Sequence, residues 1–241
     1  FDLESAKYLL KLGVKNIKIP SGEITNISLL KFIKKKNLKK IIVSSGMANL
    51  SEVETALINL GWPKNRNIIL LHCHTDYPSH FKDINLRAMQ TLENCFKIQV
   101  GYSDHTLGNE ASISAVAMGA VLIEKHFTID NEMIGPDHKA SMNIKDFKKF
   151  IKSIRKTEKL LGSGIKLPTT TELKNRDIVR KSLIASSNLK IGTILRLKHI
   201  EIKRPGNGIQ PDFLENILGM RITKSIKKGE LITWKKLKNS I

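Results

Sequence analysis

Short apolar runs alternate with longer amphipathic segments through the first two thirds of the chain. Runs at 16–20, 40–44, 67–73, 98–102 and 121–126 are too short for helices and predict β-strands. Segments at 3–12, 28–35, 50–60, 86–96, 110–118 and 144–161 carry apolar positions at helical spacing. Ser51 and Glu54 form a capping-box pattern ahead of the apolar positions Val53, Ala56, Leu57 and Leu60. This βα alternation calls for a parallel sheet with helices outside. Each predicted strand ends in small or polar residues: Ser21-Gly22-Glu23, Ser44-Ser45-Gly46, His72-Cys73, Ser103-Asp104-His105 and His126. Polar residues at successive strand ends are what a (β/α)8 barrel places around its catalytic mouth.

The pattern changes after Leu161. Gly162-Ser163-Gly164 and Pro168-Thr169-Thr170-Thr171 read as a linker over 162–181. Beyond it, the segment from Leu189 to Ile200 matches the segment from Ile226 to Leu237, with Gly192 aligned to Gly229. Each copy reads as a glycine turn, a short strand and a helical turn. A small pseudo-symmetric domain over 182–241 follows.

Composition narrows the functional classes. The chain has 241 residues and 41% hydrophobic content, which supports a packed core. No apolar run approaches the ~20 residues that span a bilayer, and no segment resembles a signal peptide. Cys73 and Cys95 are the only cysteines, a count that suits a reducing cytoplasm. The formal net charge is +19, with runs such as Lys34-Lys35-Lys36 and Lys227-Lys228. No aromatic residues interleave with these lysines, so they read as solvated helix faces rather than a nucleic-acid surface. A small anionic substrate fits the charge equally well.

The candidate chemistry clusters at the strand ends. His105 and His126 close two consecutive strands joined by one helix, so both open on the same sheet edge. One histidine alone would read as a core residue; two at adjacent strand ends favour divalent-metal ligation. Gly135-Pro136-Asp137-His138 reads as a loop over the same rim, with Asp137 placed to ligate metal or orient a hydroxyl, and His138 as loop structure. Lys18 lies inside an otherwise apolar strand, a costly position unless it points into a functional cavity. It could bind phosphate there, joined by the hydroxyls of Ser21, Ser44 and Ser103. Glu23 could bind substrate hydroxyls or move a proton. Tyr77, before Pro78, shapes a pocket wall, and Arg204 sits on the stiffened loop Lys203-Arg204-Pro205-Gly206-Asn207-Gly208.

These segments together resemble the bacterial sialic acid synthase family, including the legionaminic and pseudaminic acid synthases. The resemblance is carried by 18–23, 44–47, 72–78, 101–107, 124–128, 135–141, 180–182 and 203–208. It implies a TIM barrel followed by a small SAF, or antifreeze-like, domain. It also implies condensation of phosphoenolpyruvate with N-acetylmannosamine or a related N-acylated amino sugar, giving a nine-carbon 2-keto-3-deoxy sugar acid and phosphate. By the same resemblance His105 and His126 hold Mn²⁺, while Lys18, Ser21, Ser44 and Ser103 hold phosphoenolpyruvate. Glu23, Tyr77 and Asp137 lie near the sugar, with Glu23 and Asp137 catalytic. Arg204 matches an arginine supplied by the partner subunit of a domain-swapped homodimer.

The chain also departs from the family pattern. Thr75 stands where some members carry a phosphate-contacting Asn, and Pro20 replaces a Gly seen in some members. The amino-terminal Glu-Ile-Gly-x-Asn-His-x-Gly motif and the first three strands have no counterpart, and five strands cannot close an eight-stranded barrel. The expectation is a fragment, poorly active and unstable alone. The alternatives are a synthase of 3-deoxy sugar acids, which the repeat and the 203–208 loop argue against, and a non-catalytic remnant. Gly135 to Ser141 looks like the neuraminate and legionaminate branches more than the pseudaminate one. No nucleic-acid or membrane partner is expected.

Overall fold

A computed structural model describes residues 2–239. The chain divides into two compact units, the first ending at Gly164 and the second beginning at Ile165. Among the described residues no helix is long and apolar enough to cross a membrane.

In the first unit five strands form one sheet in chain order: β1 (Asn16–Ile19), β2 (Lys40–Ser44), β3 (Ile68–Cys73), β4 (Gln99–Asp104) and β5 (Ile123–Lys125). All neighbours are parallel. Helices precede, separate and follow them: α1 (Leu3–Lys11), α2 (Ile27–Lys34), α3 (Leu50–Asn59), α4 (Ala88–Phe96), α5 (Glu110–Ala117) and α6 (Ile144–Leu161). This is the unbroken βα order of barrel architecture, in five consecutive strands.

Strand side chains alternate between two faces. Ile17, Ile19, Ile41, Val43, Ile68, Leu70, Val100 and Tyr102 join Leu30, Ile33, Leu57 and Phe96 in the core beneath the helices. The alternation turns Lys18, Ser44, Cys73, Ser103 and Glu124 to the other face. That face is concave, because Lys18 on one edge strand reaches Glu124 on the opposite edge strand at 2.8 Å.

Strand and helix positions follow the sequence pattern closely, with local corrections. The capping box of α3 is made by Asn49 and Glu52, not by Ser51 and Glu54. Asn49 accepts from the Glu52 amide, and the Glu52 carboxylate accepts from the Asn49 amide. The helix starts earlier than the Ser51 pattern requires, and Ser51 lies inside its first turn. β4 runs on through Asp104, because its end keeps pairing with Lys125, and β5 ends before His126.

The expected linker at 162–181 contains a helix, α7 (Thr170–Val179), which lies in the second unit. Thr169 and Glu172 form its capping box, so the threonines that read as loop residues start a helix instead. The rest of the second unit realises the repeat. β6 (Ser182–Ala185) pairs antiparallel with β7 (Ile200–Lys203), and β8 (Arg221–Ile222) with β9 (Leu237–Lys238). The pair Ala185–Ile200 corresponds to the pair Ile222–Leu237. Leu189 and Ile226 exchange backbone hydrogen bonds at 2.8 and 3.0 Å, so the two copies clasp each other. Leu195 and Ile232, equivalent in the repeat, both lie fully inside a core separate from that of the first unit.

Candidate active site

The concave face carries one ion pair, Lys18 with Glu124, joined by the Ser103 hydroxyl. Glu124 Oε1 accepts from Lys18 Nζ and from Ser103 Oγ, each at 2.8 Å. Burial pushes the Glu124 carboxyl up, but the Lys18 hydrogen bond and charge, with Ser103, outweigh it and hold the group below its ordinary value. Glu124 is therefore a carboxylate, and Lys18 is a cation held at a defined point. Glu124 was missed by sequence reasoning. The signal was the one that exposed Lys18: a charge inside a short apolar strand.

The two histidines meet at the strand ends. Their ring centroids are 5.2 Å apart, and Tyr77 packs 4.2 Å from His105 and 5.5 Å from His126. His105 Nδ1 lies 2.7 Å from the His74 carbonyl, an acceptor only. The hydrogen bond assigns a proton to Nδ1 and directs any ligand contact to Nε2. His126 is held below its ordinary pKa by burial first and by His105 second, which keeps its imidazole neutral. Its Nδ1 lies 3.8 Å from a carboxylate oxygen of Asp137.

These donors fit a divalent cation. The His126 imidazole is neutral, and Nδ1 of His105 is anchored on a carbonyl, as in metal-ligating histidines. Among the described residues no group of three or more His, Cys, Asp or Glu is arranged for a metal. A metal held here would have two imidazole nitrogens from the protein, with its other positions open.

A third feature is a set of hydroxyls near Gly46. Ser21 Oγ accepts from the Gly46 amide at 3.0 Å. A Cβ at Gly46 would overlap both Ser21 Oγ and Thr75 Oγ1, so only glycine admits this approach. Thr75 Oγ1 and Ser44 Oγ are buried with no hydrogen-bond partner. Orphaned buried hydroxyls are costly. They are suited to an anionic acceptor that arrives with substrate.

Not every expected residue joins this arrangement. Glu23 accepts from Asn26 Nδ2 at 2.6 Å, and Asn26 caps α2 through the Leu29 amide. Glu23 makes no hydrogen bond or ion pair with the other site residues. Arg204 lies in the second unit, where its Nε donates to the Val179 carbonyl at 2.9 Å. His138 bonds Thr128 Oγ1 at 2.8 Å and serves the loop, as expected. His72 and His74 are occupied by the Ile84 carbonyl and Ser79 Oγ, at 2.7 and 3.0 Å.

Comparison with known proteins finds matches along most of the chain. The NeuB family model matches residues 1–166, and the SAF domain model matches 180–238. The chain is 52% identical to N,N'-diacetyllegionaminic acid synthase of Campylobacter jejuni, over 96% of this chain and 70% of that protein. It is 43% identical to the enzyme of the same name from Legionella pneumophila, over 97% of this chain and 67% of that protein. Among solved structures, N-acetylneuraminic acid synthetase from Leptospira borgpetersenii aligns with a TM-score of 0.68 at 38% identity. That alignment covers 73% of this chain and 61% of the other.

Proposed function

This chain belongs to the NeuB family, and from that premise we propose that it is a sialic-acid-type synthase. It condenses phosphoenolpyruvate with an N-acylated amino-sugar aldehyde, with release of phosphate. A carbon–carbon bond forms between phosphoenolpyruvate C3 and the aldehyde carbon. Water adds at C2, and the C–O bond to phosphate breaks, giving a nine-carbon 2-keto-3-deoxy sugar acid.

The observation that carries this reading is the concave face itself. A fixed ammonium group, two orphaned hydroxyls and two imidazoles in ring contact sit on consecutive strand ends. Lys18 and the hydroxyls of Ser21, Ser44 and Ser103 would bind the anionic groups of phosphoenolpyruvate, with the Gly46 amide beside them. Thr75, its hydroxyl buried and unpartnered, joins this set. Glu124 holds Lys18 in place until the substrate arrives. Tyr77 forms the wall against both imidazoles. Asp137, half exposed beside His126, is suited to orient a sugar hydroxyl. Glu23 has one carboxylate oxygen engaged by Asn26 and the other available to accept the proton of the adding water.

His105 and His126 would hold a divalent metal, with Mn²⁺ proposed. When bound, it would polarise the aldehyde oxygen and so favour attack at that carbon. Arg204 is proposed to complete the sugar site of a partner subunit in a domain-swapped homodimer. Phosphoenolpyruvate is a product of central metabolism, which supports a cytoplasmic location.

The acceptor is narrowed by similarity. Identity is 52% to the legionaminic acid synthase of Campylobacter jejuni and 30% to the N-acetylneuraminate-9-phosphate synthase of Homo sapiens. This favours a 2,4-diacetamido-trideoxy sugar, with N-acetylmannosamine as the second candidate. The test is phosphate release from phosphoenolpyruvate with Mn²⁺ and each sugar in turn. Release should depend on one sugar and vanish in His105→Ala; release that ignores the sugar would overturn the reading.

A further inference from the structure

Behind the two imidazoles, on the face of the sheet that packs under the helices, lies a buried ion pair. Lys125 Nζ sits 2.9 Å from Asp104 Oδ2, with side-chain exposures of 4% and 0%. Each residue immediately precedes one of the histidines, and Asp104 and Lys125 are direct partners in the β4–β5 register. Asp104 Oδ1 also accepts from the Thr106 amide at 2.9 Å and from Thr106 Oγ1 at 2.7 Å. Its Oδ2 accepts from Ser112 Oγ on α5 at 2.5 Å. Lys125 Nζ donates once more, to the Thr106 carbonyl at 2.8 Å. One carboxylate thus ties together β4, the turn that carries His105, α5 and β5.

An ion pair in this place is an expensive way to hold a sheet together. Desolvating two charges is costly, and apolar residues of similar volume often stabilise as well or better. What the pair provides that apolar packing does not is directional geometry. Four donors converge on one carboxylate and fix the backbone on both sides of the paired strand ends. The next residue on each strand is an imidazole.

We propose that Asp104 and Lys125 form a positioning clamp that sets the separation and orientation of His105 and His126. The pair touches neither substrate nor metal; it acts through the backbone of the two strand ends. The proposal rests on the reading of His105 and His126 as metal ligands. It extends that reading to residues on the opposite face of the sheet.

The test separates positioning from stability in the 241-residue chain. Asp104→Asn alone leaves Lys125 buried without its carboxylate and is expected to fold poorly. The decisive variant is therefore the double replacement Asp104→Asn with Lys125→Met. It removes both charges, keeps an amide oxygen for Thr106 and preserves side-chain volume. Ser112→Ala, which removes one donor, is the milder companion. Three readouts apply: thermal unfolding, Mn²⁺ affinity from the electron paramagnetic resonance signal of the free ion, and cross-relaxation between the His105 and His126 ring protons in metal-free, histidine-labelled protein.

The clamp predicts that the double variant stays folded, binds Mn²⁺ at least about tenfold more weakly, as loss of an outer-shell partner does, and shows a weakened His–His cross-peak. Ser112→Ala should move both readouts in the same direction by less. A folded double variant with wild-type Mn²⁺ affinity and an unchanged cross-peak would overturn the proposal and leave the pair a purely structural one. If wild-type protein does not bind Mn²⁺ but the cross-peak still weakens in the variant, the metal reading fails and the clamp on the imidazoles stands.

Discussion

Thr75 shows what a single side chain contributes at this site. Its hydroxyl is buried, has no hydrogen-bond partner and lies against Gly46 beside Ser21. An unmade buried hydrogen bond costs about 1–3 kcal/mol, so Thr75→Val should leave the unfolding midpoint unchanged or raised. The same change should raise the KM for phosphoenolpyruvate about tenfold. Thermal scans and steady-state kinetics on one preparation check both halves; a fall in midpoint with unchanged KM would make Thr75 a packing residue. Lys18 and Glu124 illustrate legibility at this scale. Lys18 was legible because a charge interrupts an apolar strand, and the partner that justifies it sits more than a hundred residues away. No local pattern reports such a distance.

At the scale of the element, α3 provides a test of where a helix begins. Asn49 satisfies the Glu52 amide, and Glu52 returns the bond. Asn49→Ala should cost about 1 kcal/mol in urea unfolding, a usual cost for a lost N-cap. Ser51→Ala should cost a few tenths at most, because Ser51 caps nothing; equal costs would contradict the assigned boundary. Strand β3 carries a different signature. Burial lowers the pKa of His72 from its ordinary 6.5, against a smaller raising effect from the Ile84 carbonyl. The folded state then binds fewer protons than the unfolded state, so this stabilisation is complete above pH 6.5. It is lost as pH falls below 6.5 and on through the folded value. His72→Gln, which can keep a donor on the Ile84 carbonyl, should flatten the loss of stability as pH falls below 6.5. An unchanged pH profile in chemical denaturation would place the acid sensitivity elsewhere.

The whole molecule consists of two units with separate cores. Ile232, fully buried in the second unit, is equivalent by repeat to Leu195. Removing most of such a side chain costs about 2–5 kcal/mol. Ile232→Ala should therefore lower the unfolding transition of the second unit and leave that of the first in place. Calorimetry reads this directly, and a single transition shifted as one would show that the units unfold together.

The order and kind of the elements were written in the sequence, because hydrophobic periodicity is a local property that each segment carries for itself. The five strands, their parallel order, the internal repeat and the polar strand ends were all legible that way. So were His105, His126 and Lys18, each conspicuous against an apolar run. Only the tertiary structure decided which of these residues meet. Curvature of the sheet brings Lys18 to Glu124, and alternation across the strands puts Asp104 and Lys125 on the opposite face from Ser103 and Glu124. It also tied Glu23 to Asn26, the cap of α2, and turned the expected linker partly into α7. Contacts between distant segments depend on how strands twist and pack together, and that information belongs to no single stretch of chain.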